Sequence, residues 1–143
     1  MRTLISVIGT PTSINSVAQK IAAKTAATIF EIGTYRFSQN VEPGSATEET
    51  AWSEMNHEIS EISELNTVIV KSEQFSENLK KLHGSQNFDT RVIVMAGSAK
   101  EIQAVKNLNA GEFFSFVVGK DTPSAVAENV QKYLLQEKGV LSK

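Results

Sequence analysis

Residues 66–73, Asn-Thr-Val-Ile-Val-Lys-Ser-Glu, decide how the chain is read. The centre of this segment, from Thr67 to Val70, is apolar and β-branched, and it stops abruptly on Lys71. Branching at Cβ suits the pleated backbone. A run without polar alternation belongs to a strand covered on both faces, as at the centre of a parallel sheet. A strand over 66–71 is therefore expected.

Working outward, four further strands are expected at 3–8, 27–32, 91–95 and 113–118, with helical spacings between them. Ile14, Val17, Ala18, Ile21 and Ala22 predict the first helix, with Thr12 or Ser13 as its cap. An irregular stretch follows from Thr34, with turn signals at Asn40 and Pro43-Gly44. Ser45 and Glu48 form a capping-box pattern ahead of Trp52, Met55, Ile59 and Ile62. Phe75, Leu79 and Leu82 predict a helix that ends near His83-Gly84. Ser98 and Glu101 repeat the capping box before Ile102, Val105 and Leu108. Thr122-Pro123 opens the last helix, carried by Val126, Val130 and Leu134. The tail after Gly139 is expected to fray.

Alternating strands and helices predict a doubly wound α/β domain, a five-stranded parallel sheet in the order 2-1-3-4-5 with helices on both faces. The 143 residues suit one such domain over 1–143, either alone or as the amino-terminal part of a longer protein. With 14 basic and 16 acidic residues the net charge is −2, which gives no basic surface for nucleic acid. The chain has no cysteine, so thiolate metal sites, disulfides and cysteine nucleophiles are excluded. That composition fits a reducing compartment, and neither a signal peptide nor a membrane span is visible, so a cytoplasmic protein is expected.

Function in such a sheet gathers outside the carboxyl ends of the strands. The loops concerned are 9–13, 33–35, 71–73, 96–98 and 119–121. The segment 91–120, RVIVMAGSAKEIQAVKNLNAGEFFSFVVGK, resembles the receiver domains of response regulators in its apolar strand, small residues, helix, Ala110-Gly111 and aromatic strand leading to a lysine. That resemblance implies a metal-binding acidic pair where this chain has Gly9 and Thr10, and a phosphoryl-accepting aspartate where it has Lys71. Ala96 stands at the hydroxyl position, and Lys120 matches the family lysine. Magnesium needs carboxylate oxygens and the acyl phosphate needs the aspartate. The resemblance thus implies a degenerate receiver that is no enzyme and carries neither cofactor nor metal. Such a module regulates through protein contacts, as a homodimer or within a larger signalling, secretion or pilus assembly. Degenerate receivers at the head of pilus-assembly ATPases of the CpaE/TadZ type are similar.

The alternative is a flavodoxin-like flavin or nucleotide binder. Thr10, Thr12 and Ser13 would then hold phosphate at a helix N-terminus, with Trp52 or Tyr35 stacking on a flavin. The plainer reading of Thr12 and Ser13 is helix capping, and neither GxxxxGK nor GxGxxG occurs. His57 and His83 offer a weaker hydrolase or transferase reading, against which His83 reads more plainly as a cation favoured at a helix C-terminus.

Phe114 and Phe116 should share one strand face and Phe113 the other. With Ile102 and Val105 they form the expected protein interface of the receiver reading. Trp52, Met55 and Ile59 are expected in the core, and Glu48, Glu49, Glu54, Glu58, Glu61 and Glu64 on a solvated face. Lys71 itself is expected to end its strand and reach solvent.

Overall fold

A computed structural model describes residues 2–38, 48–61, 67–85 and 88–137. Five parallel strands form one sheet: β1 (Thr3–Ile8), β2 (Thr28–Glu31), β3 (Thr67–Ser72), β4 (Thr90–Ala96) and β5 (Glu112–Phe116). The helices are α1 (Pro11–Thr25), α2 (Ile32–Ser38), α3 (Glu48–Glu61), α4 (Glu77–His83), α5 (Ala99–Lys106) and α6 (Pro123–Lys132), the last running on into a π-helical turn at Tyr133–Glu137. Among the described residues, no helix is long and apolar enough to cross a membrane.

The strand order is β2-β3-β1-β4-β5, not the expected 2-1-3-4-5. α1 carries the chain from β1 past the position that β3 later fills. β1 is therefore central, hydrogen-bonded to β3 on one side and β4 on the other. Every residue of β1 is buried, as a strand flanked and covered on all sides requires.

The pleat sorts the core into two layers. Leu4 and Ile8 meet Trp52, Met55, Ile59, Leu79 and Val105 on the face covered by α3, α4 and α5. Ile5 and Val7 meet Ile14, Val17, Ile21, Val126 and Val130 on the face covered by α1 and α6. Trp52, Met55 and Ile59 are core residues, as expected. The expected split of the strand-5 aromatics also holds, with Phe113 packed on the first layer and Phe114 and Phe116 on the second.

Several local expectations change. Thr10, not Thr12 or Ser13, is the N-cap of α1, and its hydroxyl makes no capping hydrogen bond. Ile32 ends the expected strand early and opens α2, so residues 34–38 are helical rather than irregular. Ser98 and Thr122 do cap α5 and α6, accepting from the amides of Glu101 and Ala125. Asn40, Pro43, Gly44, Ser45, Ile62, Glu64 and Gly139 lie outside the described residues.

Gly111 lets β5 approach β4. A Cβ there would stand 2.6 Å from the carbonyl oxygen and 2.9 Å from the carbonyl carbon of Arg91. Backbone cannot yield as a side-chain tip can. Gly111→Ala is expected to cost about 2 kcal/mol, read as a lower urea midpoint with unchanged slope.

Candidate functional site

The carboxyl edge of the sheet is organised by the turn that joins β1 to α1. Only Gly9 and Thr10 separate Ile8 from the first residue of the helix. Gly9 has φ +155°, and a Cβ on it would lie 2.7 Å from Ile14 Cγ2 and 2.9 Å from Ser13 Oγ. The Gly9 amide donates to the Ser72 carbonyl at 3.1 Å, tying the turn to the end of β3. Thr10 Oγ1 donates to Ser13 Oγ at 3.0 Å, and Ser13 Oγ donates to the Thr10 carbonyl at 2.8 Å. The first turn of α1 carries no acidic residue, so its positive dipole end is not neutralised locally.

This turn separates two depressions. On the β4 side lies an open groove of about 310 Å³ between Thr10 and Ser13, Ala96 and Gly97, and Phe116, Val117 and Val118. Val117 and Val118 are exposed large apolar side chains, and they form the groove's apolar wall. On the β3 side lies a cavity of about 20 Å³, bounded by Gly9, Pro11, Ile14, Glu31, Lys71 and Glu73 among others. It has room for about one water.

The β3 side is strongly charged. Glu31 and Lys71 are register partners on β2 and β3, with Nζ 3.5 Å from a carboxylate oxygen. The Lys71 side chain is only 13% exposed, so it does not simply reach solvent. Arg36 is buried behind them. Its Nε donates to Glu48 at 2.6 Å, a second guanidinium nitrogen also pairs with Glu48, and the third reaches both Glu73 oxygens at 2.7 and 2.9 Å. Burial works against the Arg36 charge, but the hydrogen bonds to Glu73 and Glu48 outweigh it and hold its pKa above the ordinary value. Burial also works against the Glu73 carboxylate, yet Arg36 and a backbone amide hold its pKa below the usual range. Glu48 thus belongs to a buried ion cluster and not to the expected solvated face, whereas Glu49, Glu54, Glu58 and Glu61 are exposed.

Among the described residues, no group of three or more histidine and carboxylate side chains could hold a metal ion. His57 is exposed and pairs with Glu61 on its own helix at 2.9 Å. His83 is not a cationic helix cap. It is 2% exposed, and its Nδ1–H donates to the Ala110 carbonyl at 3.3 Å. Nε2 then accepts from the Ser6 hydroxyl at 2.6 Å. Burial first, then the Arg91 charge, lowers its pKa to about 4 against the support of that carbonyl. Neither histidine lines the two depressions at the carboxyl edge.

Of the residues singled out in the sequence, the edge brings together Gly9, Thr10, Ser13, Lys71, Ala96 and Phe116. Thr12 is exposed one residue into α1, and Lys120 is exposed in the β5–α6 loop. The residues of the expected interface divide between the two layers that flank the edge strand β5. Phe116 is buried and Phe114 half-buried against α6, whereas Val105 is buried and Ile102 half-buried on the opposite face. Trp52 is buried, and Tyr35 donates its hydroxyl to Glu58. No sequence signal marks Glu31, Val117 or Val118, and Gly97 falls within the expected loop 96–98. Glu31 is flush with Lys71 only because β2 and β3 are neighbours.

The architecture has clear parallels among solved structures. An unliganded sugar kinase from Janibacter sp. HTCC2649 superposes with a TM-score of 0.65 at 10% identity, over 100% of this chain and 99% of that one. Shikimate kinase from Acinetobacter baumannii, in complex with shikimate, gives 0.63 at 8% identity over 96% and 95%. Shikimate kinase from Aquifex aeolicus gives 0.60 at 16% identity over 95% and 96%. The fold is that of small-molecule kinases. No family model and no curated protein matches the chain by sequence.

These parallels overturn the receiver resemblance, and the strand order agrees, because a central β1 between β3 and β4 is not the expected receiver arrangement. The degenerate-phosphorylation-site reading of Gly9, Thr10, Lys71, Ala96 and Lys120 loses its basis with it. So do the readings as a pilus-assembly module and as a non-enzymatic regulator, since the structural neighbours are enzymes. The chain nevertheless departs from the phosphate-wrapping motif of P-loop proteins. Counting GxxxxGK[ST] from Gly9 puts Ile14 and Asn15 at the second glycine and the lysine, and Ser16 at the hydroxyl.

Proposed function

We propose that this chain is a kinase-like nucleotide-binding protein that seats its ligand in the groove between the β1–α1 turn and the loops after β4 and β5. One observation carries the reading: the larger of the two depressions beside the β1–α1 turn lies where the connections diverge. α1 leaves β1 for one face of the sheet, and α5 leaves β4 for the other. Such a divergence opens a crevice between adjacent strand ends, the usual ligand position in open α/β sheets.

The groove's chemistry suits a nucleotide. Val117 and Val118 offer an apolar surface for a base. Thr10 and Ser13 supply hydroxyls on the opposite wall, at the un-neutralised N-terminus of a 15-residue helix, where phosphate oxygens are favoured. The likeness in fold to small-molecule kinases supports phosphoryl transfer to a small acceptor as the reaction class. Ile14 closes the turn beneath Gly9, and no lysine lies within it, so slow turnover is expected.

Titration calorimetry with ATP and GTP tests this. Wild type is expected to bind at least one of them. Val118→Asp, an exposed substitution that should leave stability unchanged, is expected to weaken binding about tenfold or more through repulsion of phosphate and loss of apolar contact. Absence of binding to either nucleotide by the wild-type protein would sink the reading.

A further inference from the structure

We infer that Lys71, reaching in from the end of β3, supplies the phosphate-binding cation that the β1–α1 turn lacks. The inference rests on the nucleotide reading and assigns a specific residue to it. In the observed strand order β3 lies directly beside β1, and Lys71 is the register partner of Val7, two residues before Gly9. Its side chain bounds the same small cavity as Gly9, Pro11 and Ile14, directly across the turn from the nucleotide groove. The Gly9 amide's hydrogen bond to Ser72 fixes the turn against the strand that carries this lysine.

The surrounding charges leave Lys71 with capacity for an anion. Arg36 is committed to Glu48 and Glu73, and Glu73 has both oxygens on Arg36. Lys71 contacts Glu31 at 3.5 Å, and Glu31 is 45% exposed. A contact that long is weak, and an ammonium has three donors. A phosphate chain that starts in the groove and crosses the α1 N-terminus toward β3 would meet this ammonium. It would gain a charge-assisted hydrogen bond inside a partly dry site, where such bonds are strongest. The exchange costs little, because the Glu31 partner faces water and can be released to it.

The test compares ATP and GTP with adenosine and guanosine by titration calorimetry, on wild type, Lys71→Met, Lys71→Gln and Lys71→Arg. Wild type is expected to prefer triphosphate over nucleoside, with a preference that shrinks as salt rises. Lys71→Met and Lys71→Gln should lose about ten- to a hundredfold in triphosphate affinity while keeping nucleoside affinity. Lys71→Arg should retain part of the preference. Unchanged nucleoside binding also reports that the variants are folded. If the neutral variants bind triphosphate as tightly as wild type, Lys71 is not the cation, while the nucleotide reading stands. If wild type binds none of the four ligands, both fall together.

Discussion

Arg36→Met should unfold the protein at about 10 °C below the wild-type temperature, a loss of about 3 kcal/mol. The reason is what the substitution leaves behind. Glu48 sits on the first turn of α3 with its side chain 10% exposed, and the Arg36 guanidinium meets its carboxylate through two nitrogens. Removing the cation takes from a buried carboxylate the guanidinium that meets it through two nitrogens, which costs far more than an exposed pair contributes. Glu73, at 47% exposure, can turn to water and adds less. Arg36→Met combined with Glu48→Met is therefore expected to recover most of the loss, because a buried pair replaced by apolar side chains of similar size is often neutral. Thermal melts of both variants check this. A single variant as stable as wild type would show that the cluster does not hold α2 and α3 to the end of β3.

The second large effect is acid sensitivity from His83. Its folded-state pKa of about 4 lies below the ordinary 6.5, so the native state resists a proton that the unfolded chain accepts. The stability it confers is complete above about pH 6.5 and is lost as pH falls toward 4. Between pH 7.5 and 4.5 the loss should be about 2 to 3 kcal/mol. Protonated Nε2 could no longer accept from Ser6 in the buried layer under α4, and the Arg91 charge would oppose the new one. Glu73, held low by Arg36, contributes stability that is lost only below its ordinary 4.5, so it leaves this window nearly untouched. Urea midpoints at the two pH values should converge for His83→Gln relative to wild type, with the variant less stable at pH 7.5. Equal slopes against pH for the two proteins would remove His83 as the cause.

Much of this architecture is legible in the residues themselves. The apolar run at Thr67–Val70 and the fully apolar core of β4 announce buried parallel strands. Helical spacing at Ile14, Val17 and Ile21 announces a helix on one face, and the hydroxyl caps at Ser98 and Thr122 mark helix starts. These signals are local, and the structure keeps them. α2 escaped because Tyr35-Arg36-Phe37 has no cap and no apolar stripe. It is held by Ile32 and Tyr35 packed on the core and by Arg36 reaching Glu48 and Glu73, partners 12 and 37 residues away. Resemblance in the order of small and aromatic residues across 91–120 misled, because any doubly wound sheet repeats that alternation.

The carboxyl-edge loops were also foreseeable, since a parallel sheet must place its strand ends together. Which loops face one another was not. Strand sequence carries face and burial but no record of lateral neighbours, so the residues that end β2 and β3 look unrelated until the two strands are paired. Tertiary structure alone set Glu31 beside Lys71, opened the groove between the first and fourth strands, and took His83 from a helix end into the core. Chain composition and pattern determined the layers of this protein. Strand order decided its site, because order arises from long crossovers whose energies belong to the whole sheet and to no single segment.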